Sequence, residues 1–260
     1  MSTEPQITLF IITKNEAAHI AACIQSAKNL VQETVVLDSF SSDNTVQICR
    51  DLGAKVYQQP FEDFTKQKNA ALQKVTTEWA LSLDADETLT PELAEEIRRA
   101  VSNPSYDGYE LPRVNNFLGG RMYHGDIGKE YILRLVRTQK AKFEGGKVHE
   151  RLVVSGMTKK LKHVFVHTPY ADLENYFTKF NSYTTLAAQT LYEQKSPDGK
   201  PPFLMIRATL SVLTGFIKRY IVKGGMLDGM RGLIWAVLSA FYTFVKYTKL
   251  WYLFEKNQPK

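Results

Sequence analysis

Short β-rich runs that alternate with amphipathic stretches restrict the fold of this chain more than any other feature. Ile7–Thr13 (ITLFIIT) is a continuous β-rich run, the mark of a strand covered on both faces. Asn15 is placed to cap a helix that carries Ile20, Cys23, Ile24 and Ala27 on one side. Glu33–Asp38 (ETVVLD) reads as a second buried strand, followed by the polar turn SFSSDNT and a helix with Val46, Cys49 and Leu52. Lys55–Gln58 is a short third strand, Thr65–Val75 is helical, and Trp79–Leu83 is a fourth strand ending in Asp84-Ala85-Asp86-Glu87. Thr90-Pro91 starts a helix with Leu93, Ile97 and Val101 facing inward. Repeated β-α-β units imply an α/β fold with a mainly parallel, Rossmann-like sheet. Ligands bind such sheets at the carboxyl ends of the strands. Thr13-Lys14-Asn15-Glu16, Asp38-Ser39 and Asp84-Ala85-Asp86 all fall there.

Beyond residue 107 the pattern changes. Gly108–Arg113, Tyr131–Arg137, Val148–Val154 and Leu161–His167 read as strands of an α+β completion of the sheet, and Leu173–Tyr192 as a helix. Ser196–Pro202 (SPDGKPP) breaks structure. The expected organisation is a catalytic domain over 1–196, a linker over 197–202 and an apolar, basic helical region over 203–260.

Charge follows the same division. Lys200–Lys260 holds ten Lys/Arg and two acids, whereas the preceding 199 residues hold 23 basic and 25 acidic groups. The charge-free cores of the tail, Ala208–Ile217 and Gly232–Val245, fall short of the ~20 residues of a membrane span. Together with Trp235, Trp251 and several Tyr, they fit helices lying in a membrane interface with Lys and Arg snorkelling. A pair of core helices and a re-entrant hairpin are the alternatives. The body is acidic and has no nucleic-acid motif, so nucleic acid is excluded as partner. Two cysteines, Cys23 and Cys49, are too few for a disulfide framework or a structural zinc site and read as core. The opening MSTEPQ lacks a basic segment followed by an apolar core, so no secretory signal is expected. The expected location is cytoplasmic, peripheral on the inner face of the cell membrane.

Two carboxylates separated by one residue after a strand, Asp84 and Asp86, suit a hard divalent ion such as Mg²⁺ or Mn²⁺ with open positions for phosphate oxygens. The alternative is a solvated turn with a capping acid. Asp38 reads either as an acceptor for a nucleobase or ribose or as an Asx-turn residue capping SSDNT.

Thr13-Lys14-Asn15-Glu16, VVLDSFSSDNT, Gln67-Lys68-Asn69 and LSLDADE, in that order, resemble family 2 glycosyltransferases of the GT-A fold. The resemblance is closest to bacterial lipopolysaccharide-core glucosyltransferases. It continues through Arg134-Leu135, Val148-His149-Glu150, His167 and Gly224-Gly225-Met226-Leu227-Asp228-Gly229. It implies that Thr13 and Glu16 border the nucleotide, that Asp38 holds uracil or ribose, and that Lys68 lies near the diphosphate or nucleoside. Asp84 would touch the ribose or the metal shell, Asp86 would bind Mg²⁺ or Mn²⁺, and His167 would be a metal ligand. Glu150 would be the general base. An inverting transfer also needs such a carboxylate on chemical grounds, to take the acceptor hydroxyl proton. The rivals are a strand-edge pairing of Glu150 with Arg151 or Lys147, and Asp126 as base. The activity implied is transfer of a hexose, glucose first, from a UDP-sugar to a lipid-linked saccharide such as a lipopolysaccharide inner core. Galactose or an N-acetylhexosamine onto another cell-surface glycan is the alternative. No Gln-x-x-Arg-Trp of processive synthases is present, so one sugar is added per encounter. A nucleotidyltransferase is disfavoured because TKNEAAH contains no glycine; a non-enzymatic membrane- or nucleic-acid-binding protein, which the basic tail permits, is disfavoured because the body is acidic and carries no nucleic-acid motif.

Overall fold

The computed structural model describes residues 6–102, 104–145, 150–170, 172–195 and 204–257. The chain forms two compact units, Met1–Val114 with Lys129–Pro169, and Asn115–Gly128 with Tyr170–Lys260.

In the first unit, strands β1 (Ile7–Thr13), β2 (Glu33–Asp38), β3 (Lys55–Gln58) and β4 (Trp79–Ser82) alternate with helices α1 (Ile20–Ala27), α2 (Thr45–Asp51) and α3 (Phe64–Leu72). They pair in parallel in the order β3-β2-β1-β4, with Thr13 in register with Asp38. Ile7, Leu9 and Ile11 pack on one face of the sheet with Ile20, Cys23 and Ile24. Phe10 packs on the other face with Val35, Leu37 and Leu72. Burial on both faces is why the first strand is apolar at successive positions.

After β5 (Glu87–Leu89) and α4 (Pro91–Ser102) come β6 (Gly108–Phe117), β7 (Gly120–Met122), β8 (Glu130–Arg137), β9 (Ala141–Glu144), β10 (Arg151–Val154), β11 (Thr158–Lys160) and β12 (Phe165–His167). Strand β8 runs antiparallel to β4 and to β6, which turns the parallel half into a mixed sheet. Strand β12 pairs antiparallel with β5, placing His167 opposite Glu87. β9 and β10 form a separate two-stranded ribbon. The α/β class and the parallel-then-mixed sheet are those expected for a GT-A fold.

The second unit is built from α5 (Leu173–Lys195), α6 (Leu204–Ile217), a π-helical turn (Lys218–Val222), a 3₁₀ turn (Gly225–Asp228) and α7 (Gly229–Lys256). Its aromatic core gathers Phe117, Tyr176, Phe180 and Trp235, and burial pushes the Tyr176 phenol up to about 12. No helix among the described residues is long and apolar enough to cross a membrane.

Several local expectations differ from the structure. Asn15 does not cap α1, which begins at Ile20; it takes a positive φ of 56°, and its side chain accepts from the Ser42 amide at 2.8 Å. Leu161–His167 is strand only from Phe165, because the amides of Lys162 and His163 donate to the Glu96 carboxylate instead of a ladder. The division at residue 196 is not the one the compact units follow, because α5 belongs with α7. Lys249 Nζ on α7 bonds Asn181 Oδ1 at 2.7 Å, Thr184 Oγ1 at 2.9 Å and Thr185 Oγ1 at 2.7 Å. The 197–202 linker and the Val148-His149 part of the Val-His-Glu motif lie outside the described residues.

Candidate active site

The carboxyl ends of β1 and β2 are stitched together by their loops. The amide of Asn15 donates to Ser41 Oγ at 2.8 Å, and that of Glu16 to Thr45 Oγ1 at 2.8 Å. Glu16 itself bonds His19 Nδ1 at 2.9 Å. Asp38 is fully buried, and its carboxylate accepts from the Ser41 amide at 2.9 Å, from Ser41 Oγ, and from Gln58 Nε2 at 3.1 Å. These contacts close an Asx-type turn around it. Thr13 is buried beside it, and among the described residues its hydroxyl oxygen has no hydrogen-bond partner.

Helix α3 contributes three consecutive side chains with separate tasks. Gln67 donates to Ser39 Oγ at 3.0 Å, which ties the helix to the end of β2. Asn69 donates to the Phe143 carbonyl at 2.9 Å and accepts from its amide at 2.8 Å, which fixes β9. Between them Lys68, only 8% exposed, points its ammonium at two carboxylates. Its Nζ lies 3.0 Å from Asp84 Oδ1 and 3.1 Å from Glu150 Oε1. Glu150 therefore pairs with Lys68, whereas Arg151 faces Glu144 at 3.9 Å.

The other oxygen of Asp84 accepts from Arg134 at 2.9 Å. The same Arg134 nitrogen donates to Glu87 Oε1 at 2.6 Å, and Glu87 Oε2 accepts the Asp84 amide at 2.9 Å. Arg113 adds a second cation 3.6 Å from Glu87. Burial by itself disfavours the charged form of Asp84, but Arg134 and Lys68 outweigh it and hold the carboxyl well below the usual carboxylate range. Burial, followed in weight by attraction from Arg134 and repulsion from Asp84, leaves the Glu87 carboxyl above its ordinary value. Arg134 is desolvated too, yet Glu87 and Asp84 hold its guanidinium charged.

Asp86 points elsewhere. Its Oδ2 lies 3.2 Å from His167 Nε2, a contact set by the pairing of β12 with β5 and by the Thr168 amide donating to the Asp86 carbonyl at 2.9 Å. Among the described residues no group of three or more His, Cys, Asp or Glu side chains converges as a metal cage. One carboxylate and one imidazole do fit an ion that takes its remaining ligands from phosphate oxygens and water. Both Asp84 oxygens are engaged by cations, so Asp86 and His167 are the better pair for that role.

The structure thus brings Lys68, Asp84 and Glu150 into one cluster and Asp86 and His167 into another, at the ends of adjoining segments. Glu87, Arg134 and Arg113 belong to the first cluster and had no role assigned from sequence. Arg134-Leu135 and the Glu after Asp-Ala-Asp were visible as pattern, but only the antiparallel β8 shows why an arginine is needed there. Asp126, the rival base, has both oxygens held in the second unit, by Arg219 Nε at 2.6 Å and Trp235 Nε1 at 2.9 Å.

Comparison with known proteins places the chain in a family. The model of glycosyl transferase family 2 matches residues 8–160. The uncharacterized glycosyltransferase of Rickettsia felis is 31% identical, over 94% of this chain and 89% of its own. The lipopolysaccharide core biosynthesis glycosyltransferase LpsC of Rhizobium meliloti is 28% identical, over 94% of this chain and 92% of its own. Among solved structures, residues 1–349 of S. aureus TarS align over 97% of this chain and 92% of that one, with 15% identity and a TM-score of 0.47. With a family match across the β-α-β half and relatives similar over nearly its whole length, this chain belongs to glycosyl transferase family 2.

Proposed function

We propose that this glycosyltransferase is an inverting, metal-dependent hexosyltransferase. It moves a hexose, glucose first, from a UDP-sugar to a lipid-linked saccharide at an anionic membrane surface, such as a lipopolysaccharide inner core. The observation that carries the reading is the double contact of Lys68 with Asp84 and Glu150, which joins the acidic motif of the donor side to the candidate base. The acceptor class is supported by similarity to LpsC, named for lipopolysaccharide core biosynthesis.

Each residue then has a task. Thr13 and Glu16 border the nucleotide, and the closed turn at Asp38 shapes the wall on which the uridine rests. Lys68 supplies positive charge where the diphosphate arrives, and Asp84 orients Lys68. Glu150 takes the proton of the acceptor hydroxyl as its oxygen attacks the anomeric carbon from the face opposite the leaving group. One Glu150 oxygen is tethered to Lys68, which fixes the direction of the other. Asp86 and His167 would hold Mg²⁺ or Mn²⁺, whose chemistry when bound is to take up charge on the departing diphosphate.

The direct test is calorimetry of the full chain against UDP-glucose, UDP-galactose and UDP-N-acetylglucosamine, with and without Mn²⁺. Saturable, Mn²⁺-enhanced binding with one hexose preferred is expected. Absence of binding to any nucleotide sugar would sink the reading.

A further inference from the structure

The Gly224-Gly225-Met226-Leu227-Asp228-Gly229 segment takes no part in the chemistry above, yet it is firmly built. Gly224 adopts a left-handed φ of 71°, and a Cβ on Gly232 would meet the Gly225 carbonyl oxygen at 1.8 Å, so the turn closes only with glycine at these places. The Asp228 carboxylate accepts the amides of Tyr123 at 3.1 Å and His124 at 2.9 Å and bonds His124 Nδ1 at 2.9 Å, with its side chain 5% exposed.

This turn and the residues flanking it, Val222 at the end of the π-helical turn and Met230 at the start of α7, present apolar side chains to solvent. Val222 is 75% exposed, Leu227 66% and Met230 69%. Helix α6 exposes an apolar row of its own at helical spacing, Ile206, Leu210, Leu213 and Ile217, while Leu204 and Ala208 of the same helix are buried. Between residues 204 and 231 there are five Lys or Arg and one acid, Asp228, and that acid is spent on the contacts just described. Beside the turn is a cavity of about 310 Å³ whose wall includes Lys218, Arg219, Lys223, Ser211 and Thr214. Asp126 also reaches that wall, paired with Arg219 at 2.6 Å.

We propose that this face docks on an anionic phospholipid bilayer. Val222, Leu227 and Met230 enter the acyl boundary, the α6 row lies in the interface, and a lipid phosphate sits in the cavity against Lys218 and Lys223. Exposed apolar area and flanking basic charge are the two contributions that hold a protein on a bilayer without spanning it. The turn is ordered before contact, so little conformational entropy is lost on insertion. The inference deepens the membrane part of the proposed function and rests on it, while assigning the contact to particular residues.

The test is sedimentation of the full chain with vesicles of phosphatidylglycerol and phosphatidylcholine, and with phosphatidylcholine alone. The wild-type chain is expected to sediment with the anionic vesicles, less so at high salt. Leu227→Glu with Met230→Glu should lower the bound fraction about tenfold or more, with UDP-sugar binding and melting temperature unchanged. Lys218→Ala with Lys223→Ala should weaken binding to the anionic vesicles selectively. A Leu227→Cys chain bearing a polarity-sensitive dye, with Cys23 and Cys49 buried, should shift its emission to the blue on the same vesicles. A wild-type chain that stays in solution overturns the membrane reading altogether. A wild-type chain that sediments while the Leu227/Met230 variant sediments equally, or an unshifted dye, overturns this face alone. Displacement by millimolar inorganic phosphate with the dye unshifted would make the cavity a site for soluble phosphate and overturn the lipid assignment.

Discussion

The ammonium of Lys68 stands 3.1 Å from a carboxylate oxygen of Glu150 and is almost wholly shielded from solvent. Glu150 precedes β10 and Lys68 lies on α3, with about eighty residues of chain between them, so the contact exists only in the folded protein. It places a charged hydrogen-bond donor on one carboxylate oxygen; in the proposed reaction the other oxygen would take the acceptor proton.

Glu150→Gln keeps the shape and an acceptor for Lys68 but removes the basic oxygen. Turnover should fall by about 10²–10⁴-fold with donor affinity nearly unchanged. Steady-state kinetics and calorimetry with the UDP-sugar check this. Turnover near that of the wild type would remove Glu150 as the base.

His167→Ala and Asp86→Ala each remove one of the two donors placed 3.2 Å apart. Both should weaken Mn²⁺-dependent UDP binding by about 10-fold or more, and the metal-independent part should survive. Titrating Mn²⁺ at fixed UDP measures it. An unchanged Mn²⁺ requirement in both variants would place the ion elsewhere.

Arg134→Met should destabilise the fold by about 3–5 kcal/mol, because it leaves the fully buried Glu87 carboxylate without its nearest cation. Adding Glu87→Gln should recover a good part of that loss. Chemical denaturation of these two variants and of Glu87→Gln alone decides, and an equal effect of Glu87→Gln with and without Arg134→Met would show that the pair is uncoupled.

Asp84 gives a pH signature of definite sign. Its carboxyl is held below the usual range by Arg134 and Lys68 against the cost of burial, so its contribution is fully present above the ordinary carboxylate pKa of about 4 and fades as pH falls below it. Asp84→Asn should therefore cost most near neutrality and progressively less on acidification below pH 4. Glu87 works the other way: its carboxyl is raised, so it favours the fold most when protonated and less as pH climbs through its folded value. Unfolding free energies of Asp84→Asn and wild type across pH 3–7 test this, and a constant difference would contradict it.

Much of this protein was legible in one dimension. The apolar runs of β1, β2 and β4 announce strands buried on both faces, and parallel pairing then puts Thr13, Asp38 and Asp84 at carboxyl ends. The reversal of charge near residue 200 and the apolar rows beyond it were equally plain. Periodicity registers burial and local geometry, and these features depend on nothing else. It carries no information on which distant charges meet. The short strands β5, β9 and β11 span three or four residues, too few to show a period. Only antiparallel pairing of β8 with β4 and of β12 with β5 decided that Arg134 closes on Asp84 and Glu87 while His167 faces Asp86. Ion pairs across fifty or eighty residues are products of tertiary packing, and in this molecule they decide what each acid of the Asp-Ala-Asp motif is free to do.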